Sequence, residues 1–577
     1  MMTLAPIADP PPFATPAPAR AARFVLPPWA WALLVSFLVS AAILLPFAWL
    51  GSASGHDFEF HAASWFDAAY QWHEGTFYPR WTAFTNHGFG EPRFIFYPPL
   101  SWMLGAFLTL LVPPVWVPVL FILLTQTFAG YSAFCLLRRL VPSGPAILGA
   151  AFFAANPDAL LITYIRSDFA EQLAIAFFPL LLLAALKLLN LLDAASPVRI
   201  RIIHFALAFA AIWLCNAPAG VIATYSVVVL IAWATVTQGN ESLALRGIAA
   251  LALGFGLTAF YLVPAAYEQR WVNISQALST GLLPSENFLF SYGNDPDHTW
   301  FNLIASSCAL LLIFALGVCA LLSGRFAKNS AEAVSSSPRA WPALLVLGVA
   351  AIILTLPLSN LLWDYLPELR FVQFPWRWMS ILALLAACFV SAAASNRRRI
   401  WIISVAFAAI SIPLAWFLIN NGWWDPDEMP TQKSFVTQGT GYDGVDEYDP
   451  LGDDHMDLSQ SAQAAVLLPA DPDDPKAPLG RVDIQQWTTE RKQLRVRIAS
   501  PGRVALRLLN YPAWRVTIDG QIVHPDHAEG TAQMIVPVPA GDSRVRIQFL
   551  QTPDRSLGLM IFSVSLFVIA VLLLLGE

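Results

Sequence analysis

The residues of this chain best suited to chemistry crowd into the stretch from Gly55 to Leu100. It begins His56-Asp57-Phe58-Glu59-Phe60-His61. Asp67, His73, Glu74 and His87 follow, all set among aromatic side chains. A long apolar run comes immediately before it, so these groups stand at the edge of hydrocarbon. Carboxylates and imidazoles are costly to desolvate there, and a chain that keeps them usually uses them. Such acids would sit at the headgroup level, where a lipid-linked phosphate would present itself. Ordinary solvated charges on a surface helix are the plainer reading of the same residues.

Three further groups can complete such a site. Tyr164, Arg166, Asp168 and Glu171 lie between two apolar runs. They read either as a structural ion pair at a helix start, where acids favour the dipole, or as assistants to Asp57, with Arg166 neutralising a phosphate. The run Arg370 to Met379, RFVQFPWRWM, puts Arg370 and Arg377 at the outer start of a helix, where charge statistics disfavour arginine. Pro375 suits its first turn. Guanidinium forks and a helix N-terminus both attract phosphate; snorkelling to lipid headgroups is the simpler explanation. The loop Tyr292 to Trp300 carries Asp295, Asp297 and His298. That is a spacing a divalent ion can use, although a polar turn explains it more cheaply. Glu447, Tyr448 and Pro450, with Asp453, Asp454 and His455, form one more acidic cluster, either a sugar- or metal-binding loop or solvated acid.

The elements that position these groups follow from composition. The 577 residues are 57% hydrophobic and only 12% charged, against about a quarter charged in soluble proteins. Apolar runs long enough to cross a bilayer recur along the chain, which predicts a mainly α, polytopic membrane protein. The expected helices are 29–50, 96–112, 116–137, 144–162, 170–190, 202–217, 219–237, 247–265, 301–323, 341–358, 374–394, 400–419 and 556–576. Arginine and lysine in the turns at 199–201, 246, 325–339 and 397–399 mark one face as cytoplasmic. That puts 51–95, 266–300, 359–373 and 420–555 on the other face, with the turn at 166–171. If Arg138 and Arg139 are cytoplasmic, an odd number of spans must separate them from the first outer loop. The stretch 96–137 nevertheless looks like two helices broken at Pro113 and Pro114.

Residues 1–28 read as a disordered cytoplasmic tail rather than a signal peptide. Helix 58–72, with Phe58, Phe60, Trp65, Phe66, Ala69 and Trp72 at roughly helical spacing, is expected to lie in the interface plane with its apolar face in lipid. Residues 420–480 read as an acidic irregular region. Over 481–555 alternating apolar and polar residues predict a small antiparallel β-sandwich, and Asp519-Gly520 a hairpin turn. The five cysteines, all in or beside apolar runs, read as core residues. Nothing suggests nucleic-acid binding, since no basic stripe interleaves with aromatics.

The chain resembles a bacterial polytopic family labelled 6-pyruvoyl-tetrahydropterin synthase-related. The likeness is carried by His56-Asp57 with Phe60-His61, Pro79-Arg80-Trp81, Gly88-Phe89-Gly90 with Pro92 and Phe94, and Tyr97-Pro98-Pro99-Leu100. Arg166 with Glu171, Phe374-Pro375-Trp376-Arg377, Glu447-Tyr448 with Pro450, and Tyr511-Pro512 with Trp514-Arg515 and Asp519-Gly520 continue it. The pterin label does not fit, because nothing here looks like a soluble pterin synthase with its histidine zinc site. More distantly, the architecture resembles the GT-C membrane glycosyltransferases. That resemblance implies a bacterial inner-membrane enzyme that takes a sugar from a polyprenyl-phosphate carrier in the lipid bilayer and inverts it onto a glycan, lipid or protein acceptor. On that basis Asp57 is the base and Asp168 or Glu171 assists. Arg166, Arg370 and Arg377 meet the phosphate, and His56, Glu59, His61, Tyr97, Glu447 and Tyr448 line the substrate. A divalent cation, Mg or Mn, is optional, with Asp57, Glu171, Asp295, Asp297 and His298 as candidate ligands. A non-enzymatic scaffold or transporter for envelope polysaccharide, with a glycan-binding sandwich, is the alternative.

Overall fold

The computed structural model describes residues 26–327, 339–452, 458–471 and 479–575. Most of the tail assigned to 1–28 lies outside them, as do Asp453, Asp454 and His455.

Among the described residues, eleven helices are long and apolar enough to cross a membrane, from Pro28–Leu50 to Pro553–Leu574. Counting the pair Ala340–Leu354 and Pro357–Tyr365, bent by 91°, as one span makes twelve. Proline and asparagine set many helix starts. Asn156, Asn216 and Asn396 accept hydrogen bonds from backbone N–H groups of the turn that follows, satisfying donors a helix leaves open. The conflict over 96–137 resolves by length. Helix Pro99–Leu111 has 13 residues, about 20 Å, too short for a hydrocarbon core of about 30 Å. Only Pro114–Leu137 is long and apolar enough to span, which is compatible with an odd crossing number.

The domain before the last helix is a β-sandwich. One sheet has four strands, in the order Ala465–Pro469, Gly502–Leu509, Gln533–Val538 and Asp526–His527; the other has five, Gly480–Trp487, Arg491–Ile498, Gly541–Phe549, Trp514–Ile518 and Gln521–Val523. The pairings are antiparallel throughout. Asp519 and Gly520, at φ 50° and 90°, make the two-residue hairpin between Ile518 and Gln521. The sandwich starts earlier than the expected 481, because strand Ala465–Pro469 pairs with Gly502–Leu509. The region 420–480 is less irregular than its composition suggests. It adds strand Trp424–Asp425 to Ser52–Ala53 and holds a helix, Glu428–Gln438.

Helix Phe58–His73 corrects the interfacial reading. Its apolar face and much of its polar face are buried inside the protein, including His61, Ser64, Asp67 and Gln71. The short helix Pro99–Leu111 and helix Glu428–Gln438 pack against it. Its periodicity reports an apolar partner without saying whether that partner is lipid or protein. The loop beyond it sends Trp81, Phe89 and Phe96 into the same core as Leu494, Leu506, Val516 and Val545 of the sandwich. Loop and sandwich therefore share one interior. A second tie joins the sandwich to the bundle. Glu268, at the end of helix Ser242–Glu268, accepts from Arg555 Nε at 2.7 Å and Nη2 at 2.8 Å, and from the Tyr511 hydroxyl at 2.7 Å. All three residues are buried.

Candidate active site

Helix Pro157–Leu161 runs into a wide turn, Ile162–Arg166, which ends at Ser167 in the left-handed region, φ 56°. The Ser167 hydroxyl donates to Ala53 O at 2.7 Å and accepts from Gly55 N at 3.1 Å. Asp57 N donates to Arg166 O at 3.0 Å. Two loops more than a hundred residues apart are thereby stitched together through backbone and one serine. Gly55 is required by close approach: a Cβ there would collide with the carbonyl of Ile165. Gly55→Ala is expected to cost about 1–3 kcal/mol of stability. A displacement of Asp57 by about 1 Å would further lower any activity on the order of 10²-fold. Thermal unfolding and turnover measured on the same preparation check both.

The stitching gathers five charged groups. Arg166 Nη2 lies 2.7 Å from Glu171 Oε2, 3.0 Å from Asp168 Oδ2 and 3.9 Å from Asp57 Oδ2. Arg377 approaches from the other side, Nε 3.1 Å from Glu171 Oε2 and Nη2 3.6 Å from Asp168 Oδ2. Its Nη1 donates to Val372 O at 2.9 Å. Asp168 also caps the next helix, accepting from Glu171 N at 2.8 Å. His61 Nε2 is 3.5 Å from Asp168 Oδ1. The Trp376 ring lies 4.6 Å beneath the Arg166 guanidinium.

The three carboxylates are not equivalent. The side chains of Asp168 and Glu171 are 4% and 2% exposed, whereas that of Asp57 is 41% exposed. Only Asp57 can meet an incoming molecule; the other two are counter-ions that hold the guanidinium groups in place. Arg166 Nη1 is buried with no hydrogen-bond partner, a donor still able to serve an anion. Desolvation by the protein packed around its inner side, and then the negative charge of Asp168, push the Asp57 carboxyl above its ordinary range. Burial and the same two acids raise the Tyr97 phenol, whose ring packs 5.8 Å from that of His61.

Other sequence candidates stand at the edge of this cluster, as His56 and Tyr448 do, or away from it. Arg370 is exposed, its guanidinium 5.0 Å over Phe371. Left-handed residues Glu368 and Gln373 bracket its turn, so the two arginines of RFVQFPWRWM part company and only Arg377 turns inward. Glu59 is exposed and has Glu428 and Asp443 as its charged neighbours. His56 sits against Phe301 and Trp423. Tyr448 stacks on Phe96. Burial and Glu91 raise the neighbouring Glu447 carboxyl to about 7. Asp295 and Asp297 are exposed, Asp295 Oδ1 accepting from Asp297 N in a plain turn, and His298 Nε2 is buried without a partner. Among the described residues no set of three or more His, Cys, Asp or Glu is arranged to hold a metal ion. The donor set does not fit Mg or Mn: Asp168 Oδ2 and Glu171 Oε2 are turned to guanidinium groups and Asp168 Oδ1 to His61 and Glu171 N, which leaves Glu171 Oε1 as the one unpartnered buried oxygen of the two acids.

Sequence reasoning missed a second buried network. Arg93 Nε donates to Glu91 Oε1 at 2.6 Å and its Nη1 to Ser64 Oγ at 3.1 Å, while Asp67 accepts from Ala83 N, Phe84 N, Gln71 and the Tyr442 hydroxyl. It also missed Ser167 and Gly55. The one available signal was the run of small residues Ser52–Gly55 directly before Asp57.

A family described as "6-pyruvoyl-tetrahydropterin synthase related domain; membrane protein" matches residues 94–420, more than half of the chain. No curated protein matches the sequence. Among solved structures, the chain is similar to the Archaeoglobus fulgidus oligosaccharyltransferase in its apo form, with 15% identity over 70% of this chain and 56% of that one, TM-score 0.44. It is similar to the arabinofuranosyltransferase AftD from Mycobacteria, with 17% identity over 68% and 27%, TM-score 0.41. It is also similar to ArnT from Cupriavidus metallidurans bound to undecaprenyl phosphate, with 11% identity over 76% and 91%, TM-score 0.31. The chain thus spans little more than half of the oligosaccharyltransferase. Scores this low leave the reaction to be argued from the chain's own side chains.

Proposed function

The chain belongs to the 6-pyruvoyl-tetrahydropterin synthase-related membrane protein family, and from that premise we propose that it is an inverting membrane glycosyltransferase. In this reading it takes a sugar from a polyprenyl-phosphate carrier in the bacterial inner membrane and passes it to an envelope acceptor on the extracytoplasmic face. The observation that carries the reading is the solvent-reaching Asp57 carboxylate beside Arg166, whose Nη1 is buried and unpartnered.

The acceptor hydroxyl attacks the anomeric carbon while its proton passes to Asp57. The bond from that carbon to the phosphate oxygen breaks with both electrons leaving on the phosphate. A single displacement inverts the anomeric centre. Charge builds on the departing phosphate, where the free Arg166 N–H and the Arg377 fork stabilise it more than in the ground state. Asp168 and Glu171 fix both arginines before substrate arrives, so little reorganisation remains for the reaction itself. The Asp57 carboxyl, raised above its ordinary range by desolvation and by Asp168, is a stronger base for that shift.

Purified protein incubated with a panel of radiolabelled polyprenyl-phosphate sugars and mixed envelope glycans is expected to release sugar from at least one donor. The base must be ionised, so kcat/KM falls as pH drops through the raised Asp57 value. The acid limb therefore lies above the ordinary carboxylate value of about 3.9. The absence of both turnover and donor-dependent thermal stabilisation with every donor would sink the reading.

A further inference from the structure

Where the outer loop meets the sandwich there is a cavity of about 90 Å³ whose walls include Glu74, Trp81, Trp487, Thr489, Lys492 and Arg507. Its position follows from the shared core. Strand Arg491–Ile498 alternates, and the inward register holds Lys492, Leu494, Val496 and Ile498. Lysine stands where the pattern calls for an apolar residue. Its ammonium donates to Thr489 O at 2.6 Å and lies 4.3 Å over Trp514 and 5.6 Å over Trp487. Lys492 is 4% exposed and has no ion pair among the described residues. An ammonium has three donors, so this one keeps capacity in hand. Thr489, also buried, has a hydroxyl with no partner. Its backbone N–H goes to Glu74 Oε2 at 2.9 Å. Arg507 is spent on the carbonyl oxygens of His87, Gly439 and Thr440 and serves as wall.

Buried polar groups are nearly always satisfied, so an orphan hydroxyl and an under-used ammonium side by side in a cavity ask for a partner. We propose that this cavity is a subsite for one sugar residue of the acceptor glycan, seated on the Trp487 ring and hydrogen-bonded by Lys492, Thr489 and Glu74. Resting on the glycosyltransferase reading, it adds where that acceptor is held. An aromatic wall with a few convergent polar groups is how small polar ligands are oriented. A carboxylate close to the ammonium disfavours a purely anionic ligand and favours hydroxyls, which bond to both. Burial lowers the Lys492 amine to about 7, which lets it donate and accept near neutrality.

Saturation-transfer NMR on the full chain in detergent tests this, with methyl α-glucopyranoside, methyl β-galactopyranoside and methyl β-glucuronoside as probes. At least one probe is expected to receive signal. Trp487→Ala and Lys492→Met should each weaken its binding about tenfold; because Trp487 packs against the sandwich core, the NMR is run below the unfolding temperature measured for each variant. Thr489→Val serves as a third, milder variant. Asp57→Asn should leave the signal intact while removing transfer, so failure of the subsite and failure of the proposed reaction are read separately. A signal that survives both Trp487→Ala and Lys492→Met, or no signal from any probe, overturns the proposal.

Discussion

Replacing Asp57 by Asn is expected to lower sugar transfer by about 10²–10⁴-fold, the range for a positioned general base, without loosening the fold. The structure separates the two effects. Asp57 opens helix Phe58–His73 but makes no side-chain capping bond. Its link to the Arg166 loop runs through its backbone N–H, which asparagine retains. The carboxylate is 3.9 Å from Arg166 Nη2, a loose contact beside the 2.7 Å and 3.0 Å bonds that Arg166 makes to Glu171 and Asp168. Turnover, acid limb and unfolding temperature measured together decide the matter. Transfer within a few-fold of the parent at neutral pH would remove Asp57 from the chemistry.

Glu268→Ala should destabilise the protein by about 3–5 kcal/mol, the penalty for leaving a buried charge without its partner. Glu268 takes both forks of Arg555 and the Tyr511 hydroxyl, and the two charged side chains are 0% and 1% exposed. Removing the acid strands a guanidinium at the start of the last helix and an O–H inside the sandwich core. The double variant Glu268→Leu/Arg555→Met is expected to recover most of the loss, since a well-packed apolar pair replaces a buried ion pair at little cost. Denaturant unfolding in detergent, followed by tryptophan fluorescence, gives both numbers. A single variant as stable as the parent would mean that water reaches this junction.

Much of the architecture was legible because hydrocarbon is an uncompromising solvent. A run of some twenty apolar residues has few alternatives to a spanning helix, and alternation over 481–549 has few alternatives to a sheet facing a core. The short helix Pro99–Leu111 was harder, since proline marks a break without saying which side of it still spans. At the site, residue types were legible and proximity was not. Asp57, Arg166, Glu171 and Arg377 stood out singly as charges beside apolar runs. That they meet depends on Ser167 and Gly55, which carry no charge and no periodicity. Arg370 and Arg377 looked alike in sequence, and left-handed backbone at Glu368 and Gln373, invisible in side-chain type, sends them apart. Helix Glu428–Gln438 escaped notice because its polar residues carry little periodic signal; Met429, Gln432 and Val436 alone are buried.

The loop that begins at Asp57 ends by planting Trp81, Phe89 and Phe96 inside the sandwich. A sandwich borrowed from another chain would arrive without those rings, with a gap where they should sit. Exchanging outer modules between relatives to retarget such a protein therefore demands transplanting the loop as well, and the loop carries the carboxylate. Under the proposed function, partner choice and chemistry would be inherited as a single cassette.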